Sequence, residues 1–184
     1  MLAVLLALPF LAALLIGLAR GASRTTVFWI AGAAPLAGLA LLGLLTPAVT
    51  GGDTPRLFVE WLPQAGLDFS LRLDGLAWMF AGLVLGIGAL IVLYGAYYLS
   101  AEDSARRFFA YLMLFMGAML GVVLASNLLL LVVFWELTSI SSFLLIGFWN
   151  HRNDAREGAR MALTITGAGG LALLAGVLLV GLIV

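Results

Sequence analysis

The stretch FWELTSISSFLLIGFW, residues 134–149, decides how the chain is read. It is an apolar run holding one carboxylate, Glu136, followed by Thr138, Ser139, Ser141 and Ser142. Extended back to Leu128 it is long enough to span a membrane, since about 20 apolar residues in a helix cross the hydrocarbon core. Lipid supplies no hydrogen bonds, so a crossing segment must satisfy its backbone internally, as a helix does. The stretch therefore predicts a membrane helix carrying an acid near its middle.

The rest of the chain agrees with a membrane setting. Of 184 residues, 64% are hydrophobic and 10% charged, which places the chain in the integral membrane class. Six runs are long and apolar enough to span, at about 2–19, 27–45, 76–98, 108–126, 128–149 and 162–183. The fold class expected is all-α, six transmembrane helices in one domain covering 1–184, with no internal repeat. Met1 leads straight into apolar residues without a basic start or a clear cleavage site, so the first run reads as a retained helix. The many Gly and Ala residues suit close helix packing in lipid.

The connections carry almost all the charge. Arg20 and Arg24 lie in the first, Arg106 and Arg107 in the third, and Arg152, Arg156 and Arg160 in the fifth, within HRNDAREGAR (151–160). The second loop holds only Arg56 and Arg72, and the fourth, marked by Asn127, holds none. Basic loops favour the cytoplasmic side, which puts both termini outside the cell (inner) membrane. In the long second loop, 46–75, LDFSLRLD (67–74) alternates in the manner of a strand and follows FVEWLP (58–63). A short β-hairpin on the membrane surface is expected there, with Trp61 as an interfacial anchor. Asp74 reads as the N-cap of the third helix.

Several function classes drop out. The charge balance, nine Arg against nine acids, lacks the basic footprint of a nucleic-acid binder. Without cysteine and with His151 as the single histidine, no metal site is expected. GLVLGIG (82–88) and TGAGG (166–170) look like glycine-rich nucleotide loops, but both lie inside spanning runs, so no cofactor is expected.

Glu136 is the strongest site candidate. Eight residues past Leu128, it lies about 12 Å along the helix. A charge at that depth costs at least ~2.5–3.5 kcal/mol, so acids persist there for function or as structural locks. Burial disfavours the charged form of a carboxyl, and an acid so placed can take up and release a proton. Ser139, three residues on, shares its face. With Thr138 and Ser142 it offers hydroxyls to a hydrated path, although Ser and Thr also serve as ordinary packing residues. His151 is a weaker candidate at the cytoplasmic mouth, and more simply a solvated loop histidine. No base reaches the depth of Glu136 in this sequence, so a working site needs a partner from elsewhere.

The stretch RFFAYLMLFMGAMLGVVLASNLLLLVVFWELTSISSFLLIGFW, 107–149, resembles the proton-translocating subunits shared by respiratory complex I and the Mrp-type multisubunit cation/proton antiporters. It is most similar to the A-type subunit of the Mrp antiporters, with chain 5 of complex I the next relative. LDGLAWMF (73–80) matches the family's entry to its third helix, and NLLLLVVFWEL followed by SSFLLIGFW is the most specific piece. The resemblance covers essentially the whole chain, as the N-terminal portion of a longer protein. It implies sodium or another monovalent cation exchanged for protons, other antiporter subunits and membrane lipid as partners, and no active site of an enzyme. It also implies that Glu136 is the family's fifth-helix glutamate, working with a lysine on a seventh helix that would fall beyond Val184. Chain 5 carries a pattern like TRVGD in the sixth helix where this chain has TGAGG, and Met161 stands where the family often has lysine. Two other readings remain: a proton-translocating chain 5-like component of an NADH-quinone oxidoreductase, and a non-transporting membrane scaffold.

Overall fold

In the computed structural model, which describes residues 1–62, 64, 66–100 and 102–183, the six apolar runs form six helices. They are α1 (Leu2–Leu18), α2 (Arg24–Thr50), α3 (Gly75–Tyr98), α4 (Ala105–Leu124), α5 (Leu128–Ile146) and α6 (Asn153–Ile183), with strands β1 (Arg56–Leu62) and β2 (Leu67–Arg72) between α2 and α3. Five of the helices, α2 to α6, are long and apolar enough to cross a membrane. The first is apolar but has 17 residues, about 25 Å at 1.5 Å per residue, a little short of the ~30 Å hydrocarbon core.

Helix starts follow local chemistry. Ser23, Asp74, Ser104 and Asn127 each accept a backbone N–H in the first turn of α2, α3, α4 and α5. Asp74 does so with Oδ1, 2.8 Å from Ala77 N, while Oδ2 pairs with Arg72 at 3.0 Å. Three ends differ most from expectation. The apolar run ends near residue 45, yet α2 continues through Pro47 to Thr50. The Thr46 hydroxyl donates to Leu42 O at 3.0 Å and accepts the Trp78 indole at 3.0 Å, which ties α2 to α3 beside the proline. At α6, hydropathy alone sets the start at 162, but the helix begins at Asn153 because the charged segment is rich in the helix formers Ala, Arg and Glu. The fifth helix ends earlier than 149, at Ile146, where Gly147 caps it.

The hairpin pairs antiparallel, with Leu57 opposite Leu71, Phe58 opposite Ser70 and an irregularity between Val59 and Leu62. Gly66 makes the turn at φ +65°, a left-handed conformation that suits glycine. Trp61 is exposed, whereas Pro63 of the expected strand lies outside the described residues. The hairpin grips the α4–α5 turn. Ser126 N donates to Ser70 O at 2.9 Å, the Ser70 and Ser126 hydroxyls bond each other, and Asn127 Nδ2 donates to Gly66 O at 2.9 Å. This holds the start of α5.

The core centres on α4, which packs against α1, α2, α3 and α5 and buries Phe109, Met113, Leu120 and Leu124. Glycines let the helices close up. A β-carbon on Gly117 would come within 2.9 Å of the Phe10 ring, and one on Gly121 would overlap the Phe134 ring of α5. The sixth helix lies on α5, and among its described side chains only Ala159 and Gly170 are buried.

Candidate functional site

Asn127 fixes where the site begins. Its Oδ1 accepts Leu130 N–H at 3.1 Å while its amide holds the hairpin, so the first turn of α5 is anchored from both sides. Glu136 follows at the middle of the helix, on the side facing α6. The residue is half-buried, but its Oε1 is fully buried and has no hydrogen-bond partner among the described residues. That oxygen presses on the backbone of α6 at Gly170, where a β-carbon would overlap it and would sit 2.7 Å from the Glu136 Cδ. A buried carboxyl oxygen with no partner among the described residues is a costly feature of a helix–helix interface.

The expected hydroxyls take a different arrangement. Thr138 Oγ1 donates to Trp135 O at 2.6 Å, and Ser139 Oγ to the same carbonyl at 3.3 Å. Ser141 Oγ donates to Leu137 O at 2.7 Å. Ser142 makes no side-chain bond among the described residues. None of the four forms a hydrogen bond with Glu136 among the described residues. Their protons go to carbonyls one turn back, the usual habit of Ser and Thr within helices. Their lone pairs remain open to accept.

The first, third and fifth loops, with seven of the nine Arg, gather at one end of the bundle. Arg24 donates to Leu99 O and, at 2.8 Å, to Ser100 O, and Arg106 donates to Gly17 O at 2.8 Å. These guanidiniums satisfy carbonyls at the C-terminal ends of α3 and α1, a role that loop charge alone did not suggest. His151 lies at the same end, lining an open cavity of about 590 Å³ with Glu102, Asp103, Arg107 and Trp149. It is exposed. The Trp149 indole donates to Asp103 Oδ1 at 2.8 Å and Ser100 to Oδ2. The Trp149 bond, followed by those from Ser100, holds the Asp103 carboxyl below the usual aspartate range.

Among the described residues no group of three His, Asp or Glu side chains is placed to hold a metal ion. The missed element is Gly170. TGAGG stood out in sequence as glycine-rich, but only the α5–α6 contact shows which of its glycines meets the acid.

Comparison with known proteins matches this geometry to a family. Residues 61–109 match the model described as NADH-Ubiquinone oxidoreductase (complex I), chain 5 N-terminus, and residues 125–183 match that described as NADH:quinone oxidoreductase/Mrp antiporter, TM. The chain is 49% identical, over all its 184 residues, to the probable A/B subunit of a K(+)/H(+) antiporter of Rhizobium meliloti, covering 18% of that protein. It is 44% identical over 176 residues, 95% of the chain, to the A1 subunit of a Na(+)/H(+) antiporter of Staphylococcus aureus, covering 22% of it. The chain thus spans about a fifth of the length of these curated relatives. Among solved structures, the Mrp complex from Dietzia sp. superposes with TM-score 0.76 at 34% identity, over 95% of this chain and 18% of that one. The archaeal membrane-bound sulfane sulfur reductase shares the fold at TM-score 0.76 and 21% identity, over 94% of this chain and 26% of that one. By sequence along its whole length and by fold, the chain is homologous to the N-terminal portion of the family that joins the A-type subunits of Mrp antiporters to chain 5 of complex I.

Proposed function

We propose that this chain is part of the A-type subunit in an Mrp-type monovalent cation/proton antiporter complex, and that Glu136 is a proton-exchanging group on its ion path. The observation that carries this reading is the buried Oε1 at mid-helix, without a partner among the described residues. An acid kept in that position at a cost of at least ~2.5–3.5 kcal/mol has a use for it. The exchanged cation is sodium or potassium, the ions named for the two relatives above.

In this reading all six helices span, including α1, and both termini lie outside. The Arg-rich end faces the cytoplasm, where basic loops are retained. Glu136 works with a basic partner supplied by further chain or another subunit. Neutralised by a proton, the acid releases its hold on that cation, and ionised it restores the pair. Thr138, Ser139 and Ser142 contribute lone pairs to water along the path, and His151 stands at its mouth. Replacing Glu136 with Gln in the assembled complex should abolish cation-dependent proton movement in everted vesicles and leave assembly intact. Glu136→Asp should keep part of the activity.

The complex I match over 61–109 supports a second reading, a redox-driven proton-translocating component. Quinone-reductase activity copurifying with the chain would favour it. The 49% and 44% identities to antiporter subunits favour the first.

A further inference from the structure

We infer that Gly170 is the seat of the Glu136 carboxyl: a gap in the side-chain surface of α6 that positions the acid between the two helices. The inference rests on the reading of Glu136 as a proton-exchanging group and extends it to a positioning residue on the neighbouring helix.

The glycines of α6 are not equivalent. A β-carbon built on Gly167, Gly169 or Gly176 meets nothing within 4 Å. One built on Gly170 overlaps Glu136 Oε1, lies 2.7 Å from its Cδ and 3.3 Å from Trp135 Cδ1. Gly170 is also one of the two buried residues among the described side chains of α6. The acid is therefore what covers this glycine, and the glycine is what admits the acid.

The consequence is chemical as well as steric. The backbone of a helix interior offers no free N–H, so the seat supplies only weak Cα–H contacts to the oxygen. The seat holds the carboxyl in place without pairing it, which leaves proton binding to decide its charge. Any side chain at 170 pushes the carboxyl out. Because the displaced atoms are the end of a flexible side chain, the helices themselves need not move. The expected damage from Gly170→Ala is thus to the placement of the acid rather than to the fold.

The test uses the complete antiporter complex with Gly170→Ala, the control Gly169→Ala, and Glu136→Gln and Glu136→Asp. It reads antiport across pH in everted vesicles, the amount of assembled complex, and the rate at which dicyclohexylcarbodiimide modifies Glu136. Gly170→Ala should lower antiport by about tenfold or more, as displacing a reacting group by about 1 Å does elsewhere. It should also displace the pH of half-maximal antiport and change the Glu136 modification rate, while Gly169→Ala leaves all three at wild type. Asp withdraws the carboxyl by one methylene, so Gly170→Ala added to Glu136→Asp should cost much less than it costs alone. If Gly170→Ala reduces the amount of assembled complex, Glu136→Asp should restore it. Wild-type antiport, pH profile and labelling in Gly170→Ala, beside an inactive Glu136→Gln, overturn the seat and leave the proton-exchange reading standing. Effects of Gly170→Ala and Glu136→Asp that simply multiply, or an assembly defect that Glu136→Asp does not relieve, overturn it too. An active Glu136→Gln overturns the underlying reading, and labelling alone then decides whether Gly170 positions the acid.

Discussion

Asp103 sits outside the apolar core yet ties two loops together, through the Trp149 indole at 2.8 Å and the Ser100 hydroxyl at 2.9 Å. Those donors favour the ionised carboxylate, and the Trp149 bond is the largest reason its pKa lies below the ordinary 3.8. A carboxyl whose pKa is lower in the folded state adds stability above the unfolded value and loses it as pH falls through the folded one. The tie should therefore hold through the ordinary aspartate range and open only below it. Trp149 emission in a variant lacking the other tryptophans should stay constant down to about that point and change beneath it. A change centred nearer neutrality would contradict the assignment to Asp103. At this scale Glu136 was legible in the sequence, because an acid in an apolar run is conspicuous whatever surrounds it. Gly170 was not, because the glycines of TGAGG look alike until a second helix is laid against them. The hydroxyls after Glu136 were legible as residues but not as contacts, since Thr138 and Ser139 turn back to the Trp135 carbonyl of their own helix.

At the scale of elements, the hairpin and α5 behave as one unit. Asn127 serves both, capping α5 at Leu130 N and holding Gly66 O. Asn127→Ala removes both bonds and should cost about 1–2 kcal/mol locally, the worth of an N-cap. Hydrogen exchange at the first turn of α5 should speed up accordingly, while α3 keeps its protection. Unchanged exchange at Leu130 would mean that the turn is held by the Ser70–Ser126 contacts alone. The hairpin itself could be read from alternation at 67–74 after the apolar FVEWLP. The ends of α2 and α6 could not be read from hydropathy. Hydropathy reports where lipid begins, whereas a helix continues as long as its carbonyls find donors. Thr46 and Trp78 tie α2 to α3 beside Pro47, and the AREGAR segment carries α6 outward past the apolar run.

At the scale of the whole molecule, the first, third and fifth loops are drawn to one end by bonds from Arg24, Arg106 and Trp149, and the hairpin occupies the other. If basic loops face the cytoplasm, the hairpin faces outward. The chain itself has no cysteine, so one placed in it can be read against the unsubstituted complex. A single Asp53→Cys in the assembled complex should react with an impermeant maleimide on intact cells, and Asn153→Cys only in everted vesicles. The opposite pattern would invert the topology. The central claim concerns the orphaned carboxylate between α5 and α6, and one measurement addresses it most directly: cation-dependent proton movement in everted vesicles carrying Glu136→Gln in a fully assembled complex. The account predicts no antiport above background with wild-type amounts of complex. Wild-type antiport from the glutamine variant would contradict it, and would leave Glu136 as a packing residue that locks two helices.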